Sequence, residues 1–445
     1  MPSKFVIKGG TSLGGEVEIR GSKNTALPLI AACLLTAEPT RLENVPEIGD
    51  VRAMLTIAAG LGAHVNWDTA DRGVSINAKG LRHASPDDAL VRKLRASILF
   101  SGALLGRMRE VVMPYPGGDA IGARPLTTHL HALQALGALV ETGERITIDG
   151  GAMQGADITL EEPSVTATEN IILAAVLIPG KTLIRLAAFE PHIHELILFL
   201  QKLGADIKWA AGLRIEINGV ERLRGARHRI NPDELEVSGF ATLAAATRSE
   251  IALRDVEPEY LDAVLLQFSK MGVHFELRDR TVQVLKPSRP YQSFRVQSGL
   301  YPKLGSDHLP PFAVLATQAT GTSLIHEWLY ENRFRYVAEL QKMGADCKIL
   351  DPHRATITGP TPLTGREITS FDIRSGMTLI TAALVAEGQS VIANVEHIDR
   401  GYEKIDERLR ALGADIRRVN QESPASPRPP SARLGRGRGL GRGRA

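Results

Sequence analysis

Leu203-Gly204-Ala205-Asp206-Ile207-Lys208-Trp209 reads as the end of one element and the start of another. The stretch before it, His194–Leu203, has amphipathic helical spacing, and after the glycine the residues alternate as in a short strand. Glycine just past a helix end supplies the left-handed turn that closes it. The same turn returns as Leu61-Gly62-Ala63, Leu136-Gly137-Ala138, Met271-Gly272-Val273, Met343-Gly344-Ala345 and Leu412-Gly413-Ala414, at intervals of about 70 residues. Tyr402–Leu412 and Asp415-Ile416-Arg417-Arg418-Val419 repeat the helix and the strand as well. A chance excess of Leu-Gly pairs would share neither the spacing nor the context, so the chain reads as six copies of one unit.

Each unit holds a second helical stretch that opens on small or polar residues. The openings are Ile19-Arg20-Gly21-Ser22-Lys23-Asn24, Lys93-Leu94-Arg95-Ala96-Ser97, Ser164-Val165-Thr166-Ala167-Thr168, Val237-Ser238-Gly239, Gly305-Ser306-Asp307 and Ile373-Arg374-Ser375-Gly376. Their bodies, among them Leu27–Leu35, Ile171–Leu177, Leu243–Ala246 and Leu379–Val385, are apolar on all sides, which places them inside a core. Six such helices, wrapped by outer helices and strands, predict an α/β protein of two domains with three units each. Asn231-Pro232-Asp233 breaks the pattern between the third and fourth units. The opening strands Phe5–Ile7 and Val17–Ile19 are expected to complete the second domain. The expected division is residues 22–230 for the first domain, and 1–21 with 231–420 for the second. Two crossings between domains make a hinge, which suits a cleft that opens and closes.

The bulk numbers narrow the function. The net charge of +3 misleads, because Arg428, Arg433, Arg436, Arg438, Arg442 and Arg444 face only Glu422 in the tail after Asn420. The remaining body is near neutral, so charge implies no nucleic-acid surface. The tail, residues 421–445, is rich in Pro, Ser, Gly and Arg and is expected to be disordered. Arg-Gly segments can bind RNA or acidic surfaces weakly; a solvated terminus is the plainer reading. Cys33 and Cys347 are too few and too far apart for a disulfide framework or a zinc site, and a reducing cytoplasm is expected. The N-terminus shows no basic-then-apolar signal pattern, and the longest apolar run, Ala26–Leu35, is too short to span a bilayer.

Pro114-Tyr115-Pro116-Gly117-Gly118-Asp119-Ala120-Ile121-Gly122-Ala123-Arg124-Pro125 interrupts the repeat as a loop that no helix or strand pattern absorbs. Leu126, Leu130, Leu133 and Leu136 then fall at helical spacing, with Pro125 expected at the first helical position. Arg124 would lie beside the free N–H groups of that helix, a good place for an anion, with Asp119 a few residues away. Taken alone, the loop reads as a surface Ω-loop with an incidental acid. Other cations gather at equivalent places: Lys23 and Asn24, Arg95 and Arg374 open buried helices, as does Asp307. Arg333 and Arg400 lie in the loops Glu331-Asn332-Arg333-Phe334 and Asp399-Arg400-Gly401-Tyr402. Singly each is most often a solvated side chain. Together they predict a cleft for a substrate with several negative groups.

The loop Pro-Gly-Gly-Asp-Ala-Ile-Gly-Ala-Arg-Pro resembles the active-site loop of the UDP-N-acetylglucosamine enolpyruvyl transferases, whose usual form has cysteine where Asp119 stands. The resemblance covers roughly Lys4 to Asn420 and implies a pair of inside-out α/β barrel domains with buried central helices. It also implies transfer of the enolpyruvyl group of phosphoenolpyruvate to the 3-hydroxyl of UDP-N-acetylglucosamine, the step that opens peptidoglycan precursor synthesis. On this resemblance Lys23 and Asn24 contact phosphoenolpyruvate, and Arg124 and Arg400 grip its phosphate and carboxylate, with Arg333 and Arg374 nearby. Arg95, the run Arg124-Pro125-Leu126-Thr127-Thr128, Glu162, Ser164, Val165, Asp307 and Leu329 align with positions that bind the nucleotide sugar. Asp307 matches the carboxylate at the sugar 3-hydroxyl, and Asp119 takes the place of the loop cysteine as acid. Lys23, Asp119, Asp307 and Arg400 are thus the implied catalytic set.

Positioning and charge stabilisation carry such a reaction, so no metal or organic cofactor is implied. HExxH, P-loop and dinucleotide fingerprints are missing from the sequence. His129-x-His131 and His192-x-His194 have a spacing that points the rings apart on a helix. The implied partners are the two substrates alone, with the chain a monomer and no membrane involved. Three departures stand out. They are Asp119 for cysteine, Thr127 where the family has aspartate, and Leu304-Gly305-Ser306-Asp307 where it has Phe-Pro-Thr-Asp. Other readings remain: carboxyvinyl transfer to another acceptor, a related nucleotide sugar or shikimate 3-phosphate, and a silent paralogue that binds a nucleotide sugar or, through its tail, nucleic acid. Because so many cations face one another, the empty cleft is expected to stay open. Deleting residues 421–445 should leave turnover and melting temperature nearly unchanged, since the segment has little to pack; a calorimetric melting scan of the truncated protein checks this.

Overall fold

The computed structural model describes residues 3–420; the expectations for the tail, residues 421–445, fall outside the described residues. The six buried helices run Lys23–Ala32, Leu99–Met108, Val165–Ala175, Glu234–Ala246, Leu309–Thr317 and Ile373–Val385. Every residue of Glu234–Ala246 and Leu309–Thr317 is buried, as side chains apolar around the whole helix require. The fourth helix starts earlier than its apolar pattern suggests. The Asp233 carboxylate accepts from the N–H groups of Leu235 and Glu236, so the cap lies outside the apolar run and draws Glu234 and Glu236 into a buried first turn.

Outer helices close as the repeat predicts. Pro191–Leu203 ends on Gly204 at φ 97°, in the left-handed region. The last outer helix is shorter than its sequence pattern, Ile405–Ala411, because Lys404 takes a φ of 42° and turns the chain in front of it. Among the described residues the strands form five four-stranded sheets and one three-stranded sheet. Strand Ser3–Lys8 pairs antiparallel with Gln389–Ala393 and Asp415–Asn420 of the sixth unit. Gly14–Glu18 instead runs parallel to Glu250–Arg254 of the fourth unit. Arg227–Arg229 closes the sheet of the first unit, parallel to Thr40–Glu43.

Two separate hydrophobic cores result. One is built from residues between Ala26 and Ile230, the other from Phe5–Ile19 together with Val237–Ile416. The chain passes between them twice, at Arg20–Ser22 and at Asn231–Asp233, and the passages are stitched together. Ser22 N–H donates to Asn231 O at 2.7 Å, Asp233 N–H to Arg20 O at 2.8 Å and Thr25 Oγ1 to Asn231 Oδ1 at 2.6 Å. Gly21 lets the first passage lie against Asn44, since a Cβ there would lie 1.8 Å from the carbonyl oxygen of Asn44. Gly21→Ala should therefore cost about 1–3 kcal/mol of stability through overpacking, read from urea unfolding.

Candidate active site

The loop of residues 114–125 leaves the strand Glu110–Met113 and lies flat on residues 92–95. A Cβ on Gly117 would sit 1.7 Å from the Arg92 carbonyl, and Gly118 takes a φ of 119°. Pro125 is not the first helical residue, contrary to the sequence expectation: the helix is Thr127–Ala135, with Leu126 at its cap. Arg95 explains the shift, because its Nη2 donates to the carbonyls of Arg124 at 2.6 Å and Pro125 at 3.3 Å and holds both outside the helix. Arg124 in turn donates from Nη2 to the backbone carbonyl of Asp119 at 2.6 Å.

The Asp119 carboxylate reaches across to Arg400, accepting a short hydrogen bond from its Nη1, and His397 Nδ1 lies 4.0 Å away. Arg400 also donates from Nε to Asp50 Oδ1 at 2.8 Å, and the other oxygen of Asp50 is 3.7 Å from Lys23 Nζ. Burial would lower the guanidinium of Arg400, but Asp50 and Asp119 outweigh it and hold Arg400 firmly charged. Asp50 was missed in the sequence reading. It stands in the first turn of the helix Gly49–Gly60, an ordinary place for an acid, and only the fold brings it to two cations.

Asp307 occupies the short turn that opens the fifth buried helix. It accepts from Arg333 Nη2 at 2.6 Å and from Arg374 Nε at 3.4 Å. Burial would raise its carboxyl, and Arg333, Arg374 and Lys23 overcome that, keeping it well below the usual carboxylate range. The buried rings of His192 and His308, pushed down to about 4 chiefly by burial, add no charge nearby at neutral pH. Arg374 is 2% exposed, yet its Nη1 and Nη2 have no hydrogen-bond partner among the described residues. Buried donors left free in this way are suited to an anion.

Two adjoining cavities share Val165, Thr166, Glu190, Leu329 and Tyr330 in their walls. The first, of about 320 Å³, is lined by Asn24, Val165, Asp307 and Leu329 together with Glu190, Glu234, Tyr260 and Tyr301. The second, of about 330 Å³, is lined by Arg95, Arg124, Pro125, Glu162, Ser164, Val165 and Leu329, with Trp328 and Tyr330 beside them. Lys23, Asp119, Arg333, Arg374 and Arg400 line neither cavity and are gathered instead by the ion pairs around Asp50 and Asp307. Leu126, Thr127 and Thr128 line neither cavity: Leu126 packs into the first core, Thr128 is buried and Thr127 faces outward.

The cleft is not held apart by its cations, against expectation. The loop already touches the other core, with Ala123 N–H donating to Glu331 Oε1 and Asn332 Nδ2 to the Ala120 carbonyl, each at 2.7 Å. Two unit charges about 4 Å apart interact by roughly 4 kcal/mol near a protein surface, so a carboxylate between cations outweighs their mutual repulsion at longer range. Asp50 and Asp307 supply those carboxylates.

A family model for EPSP synthase (3-phosphoshikimate 1-carboxyvinyltransferase) matches residues 7–409. The UDP-N-acetylglucosamine 1-carboxyvinyltransferase of Treponema denticola is 42% identical over 423 residues, covering 93% of this chain and 98% of that protein. Its counterpart from Bradyrhizobium diazoefficiens is 43% identical over 429 residues, covering 94% and 98%. The chain belongs to this family of carboxyvinyltransferases. It is a transferase with a mixed α/β fold. The enolpyruvyl transferase NikO from Streptomyces tendae has the same fold, at a TM-score of 0.86 and 23% identity over 95% of this chain and 100% of that one.

Where this carboxyvinyltransferase has serine for the usual threonine, the hydroxyl is kept and its partner is visible. Ser306 donates to Glu327 Oε2 at 2.6 Å, and Glu327, fully buried, accepts at Oε1 from the N–H groups of Leu329 and Tyr330. The residue before Asp307 thereby fixes the loop that carries Trp328, Leu329 and Tyr330. Removing the Asp50 carboxylate leaves Lys23 and Arg400 without their shared partner. Asp50→Ala should lose about 3–5 kcal/mol of stability, as breaking a buried pair does, measured by chemical unfolding at neutral pH.

Proposed function

We propose that the transferase moves the enolpyruvyl group of phosphoenolpyruvate to the 3-hydroxyl of UDP-N-acetylglucosamine and releases phosphate, opening peptidoglycan precursor synthesis. The observation that carries this reading is Asp307, an ionised carboxylate between Arg333 and Arg374 that lines the first cavity with Asn24, next to a loop that brings Asp119 to Arg400. Phosphoenolpyruvate lies among Lys23, Arg124, Arg374 and Arg400, where guanidinium forks match its phosphate and carboxylate. The nucleotide occupies the second cavity against Arg95, Glu162, Ser164 and Leu329, and the sugar occupies the first.

In the first step the 3-oxygen bonds to carbon 2 of the enol, Asp119 delivers a proton to carbon 3, and the hydroxyl proton passes to Asp307. A carboxylate held this low is a weak base, but an oxygen that has just bonded to carbon is a far stronger acid than a carboxyl. The transfer therefore runs downhill once attack is under way. In the second step carbon 3 returns its proton to Asp119 and the bond from carbon 2 to the phosphate oxygen breaks. Phosphate leaves with the electron pair and takes up the proton held by Asp307. Asp119 is bound to Arg400, and the anionic groups of phosphoenolpyruvate compete for that arginine and free the Asp119 carboxyl for carbon 3.

Each hydrophobic core forms one inside-out α/β domain in this reading, residues 22–230 and residues 1–21 with 231–420. The stitched crossings at Gly21 and Pro232 serve as the hinge. The sister reading, shikimate 3-phosphate as acceptor, is disfavoured by the relatives named UDP-N-acetylglucosamine 1-carboxyvinyltransferase, 42% and 43% identical over nearly the whole chain. A silent paralogue would have no need to keep Lys23, Arg124, Asp307 and Arg400 together.

Phosphate release from phosphoenolpyruvate, measured with UDP-N-acetylglucosamine and with shikimate 3-phosphate, tests the proposal; release only with the second acceptor, or with neither, sinks it. Asp119→Asn should lose most turnover, a factor of about 100 or more for a general acid, while still binding nucleotide sugar. A carboxylate is a poor nucleophile toward an epoxide, so fosfomycin should not inactivate the protein over time, whereas Asp119→Cys should remain active and become sensitive.

A further inference from the structure

Glu234 is 7% exposed and lines the first cavity, yet its Oε2 has no hydrogen-bond partner among the described residues. Its placement follows from the cap before it: Asp233 holds the N–H groups of Leu235 and Glu236, so the intervening side chain turns to the cavity wall. An unpartnered carboxyl oxygen at such a depth costs free energy unless something enters to meet it. The charged and titratable groups facing it are Asp233 on its own helix, Arg374 from the sixth buried helix and Asp307 from the fifth. Tyr260 and Tyr301 face it from two loops. Glu169 and Glu190 line the same cavity from the other core, Glu259 and Asp262 line it beside Tyr260, and Lys303 and His308 add to the polar lining near Asp307.

We propose that Glu234 is a specificity-determining residue that donates a hydrogen bond from its carboxyl to an uncharged oxygen of the acceptor, a hydroxyl or an amide carbonyl, beside the hydroxyl held by Asp307. This rests on the carboxyvinyl-transfer reading for the identity of the acceptor. Burial first, and then the charge of Asp233, push the Glu234 carboxyl up to about 8, so at neutral pH it carries its proton and is a donor. Asp307, kept ionised by its arginines, can only accept. The two walls therefore offer opposite hydrogen-bonding roles to neighbouring oxygens on one ring.

The sign of the pH dependence follows. As pH rises through about 8 the Glu234 proton is lost, the donor disappears and a negative charge joins Asp307, so acceptor binding weakens. Calorimetric titration of UDP-N-acetylglucosamine into the unmodified protein, Glu234→Gln and Glu234→Ala tests this, over a range from about pH 6.5 to about pH 9 chosen to bracket that ionisation. For the unmodified protein, Kd should rise about tenfold across that whole range, most of it above about pH 8, as one ionisation requires. Glu234→Gln, whose amide donates at every pH, should bind within a few-fold of the unmodified protein at neutral pH and lose the dependence. Glu234→Ala should bind about 5–10-fold more weakly near neutral pH, the effect of one lost hydrogen bond, converge on the unmodified protein as pH rises toward about 9, and leave phosphoenolpyruvate KM unchanged. If Glu234→Ala does not fold, the Gln profile decides alone. A Glu234→Gln profile that matches the unmodified protein overturns the proposal, as does unmodified protein that does not bind the nucleotide sugar. Binding without phosphate release overturns only the reaction, so the two failures are distinct.

Discussion

The carboxylates of Asp50 and Asp307 allow Lys23, Arg333, Arg374 and Arg400 to share one cleft. Each acid lies between two cations, Asp50 between Lys23 and Arg400 and Asp307 between Arg333 and Arg374. Burying charge is costly unless it is paired, and here pairing takes place inside the site itself. In the proposed reading, a substrate with two anionic groups meets cations already in position and exchanges one set of negative partners for another. The site is therefore preorganised electrostatically without needing to be held open.

The fold and the site share a residue at Asp233. Its backbone N–H donates to Arg20 and ties the two crossings together, while its carboxylate caps the fourth buried helix. The same carboxylate accepts from the N–H of Lys23 at 3.5 Å and stands 3.9 Å from Arg374. Any relative movement of the two cores must pass through this group. The proposed hinge and the charge balance of the proposed active site are thus one structure, in which a change of domain angle alters how Lys23 and Arg374 are neutralised.

The loop of residues 114–125 shows a second economy. Arg95 and Arg124 are spent largely on backbone carbonyls, those of Arg124, Pro125 and Asp119, and so shape the loop as well as its charge. Burial, with Arg124 close by, lowers the Arg95 guanidinium to about 10, which still leaves it charged at neutral pH. The start of the following helix is in this way set by an arginine-held turn, with Pro125 outside it.

The amino-acid sequence by itself determined the periodic part of this protein. Six glycine turns, six apolar helices and the break at Asn231-Pro232-Asp233 are local signals, because helix ends, burial around a whole helix and proline turns are decided within a few residues. The motif residues Lys23, Arg124, Asp307 and Arg400 were legible through their fixed neighbours in the chain. Tertiary structure alone decided how those charges are neutralised. Asp50 and Arg400 are 350 positions apart, and Glu331 and Ala123 are 208, so no window of sequence contains either pair. The roles of Asp50, Glu327 and Glu234 follow from burial and from which partner is missing or near, and those are properties of the packed chain.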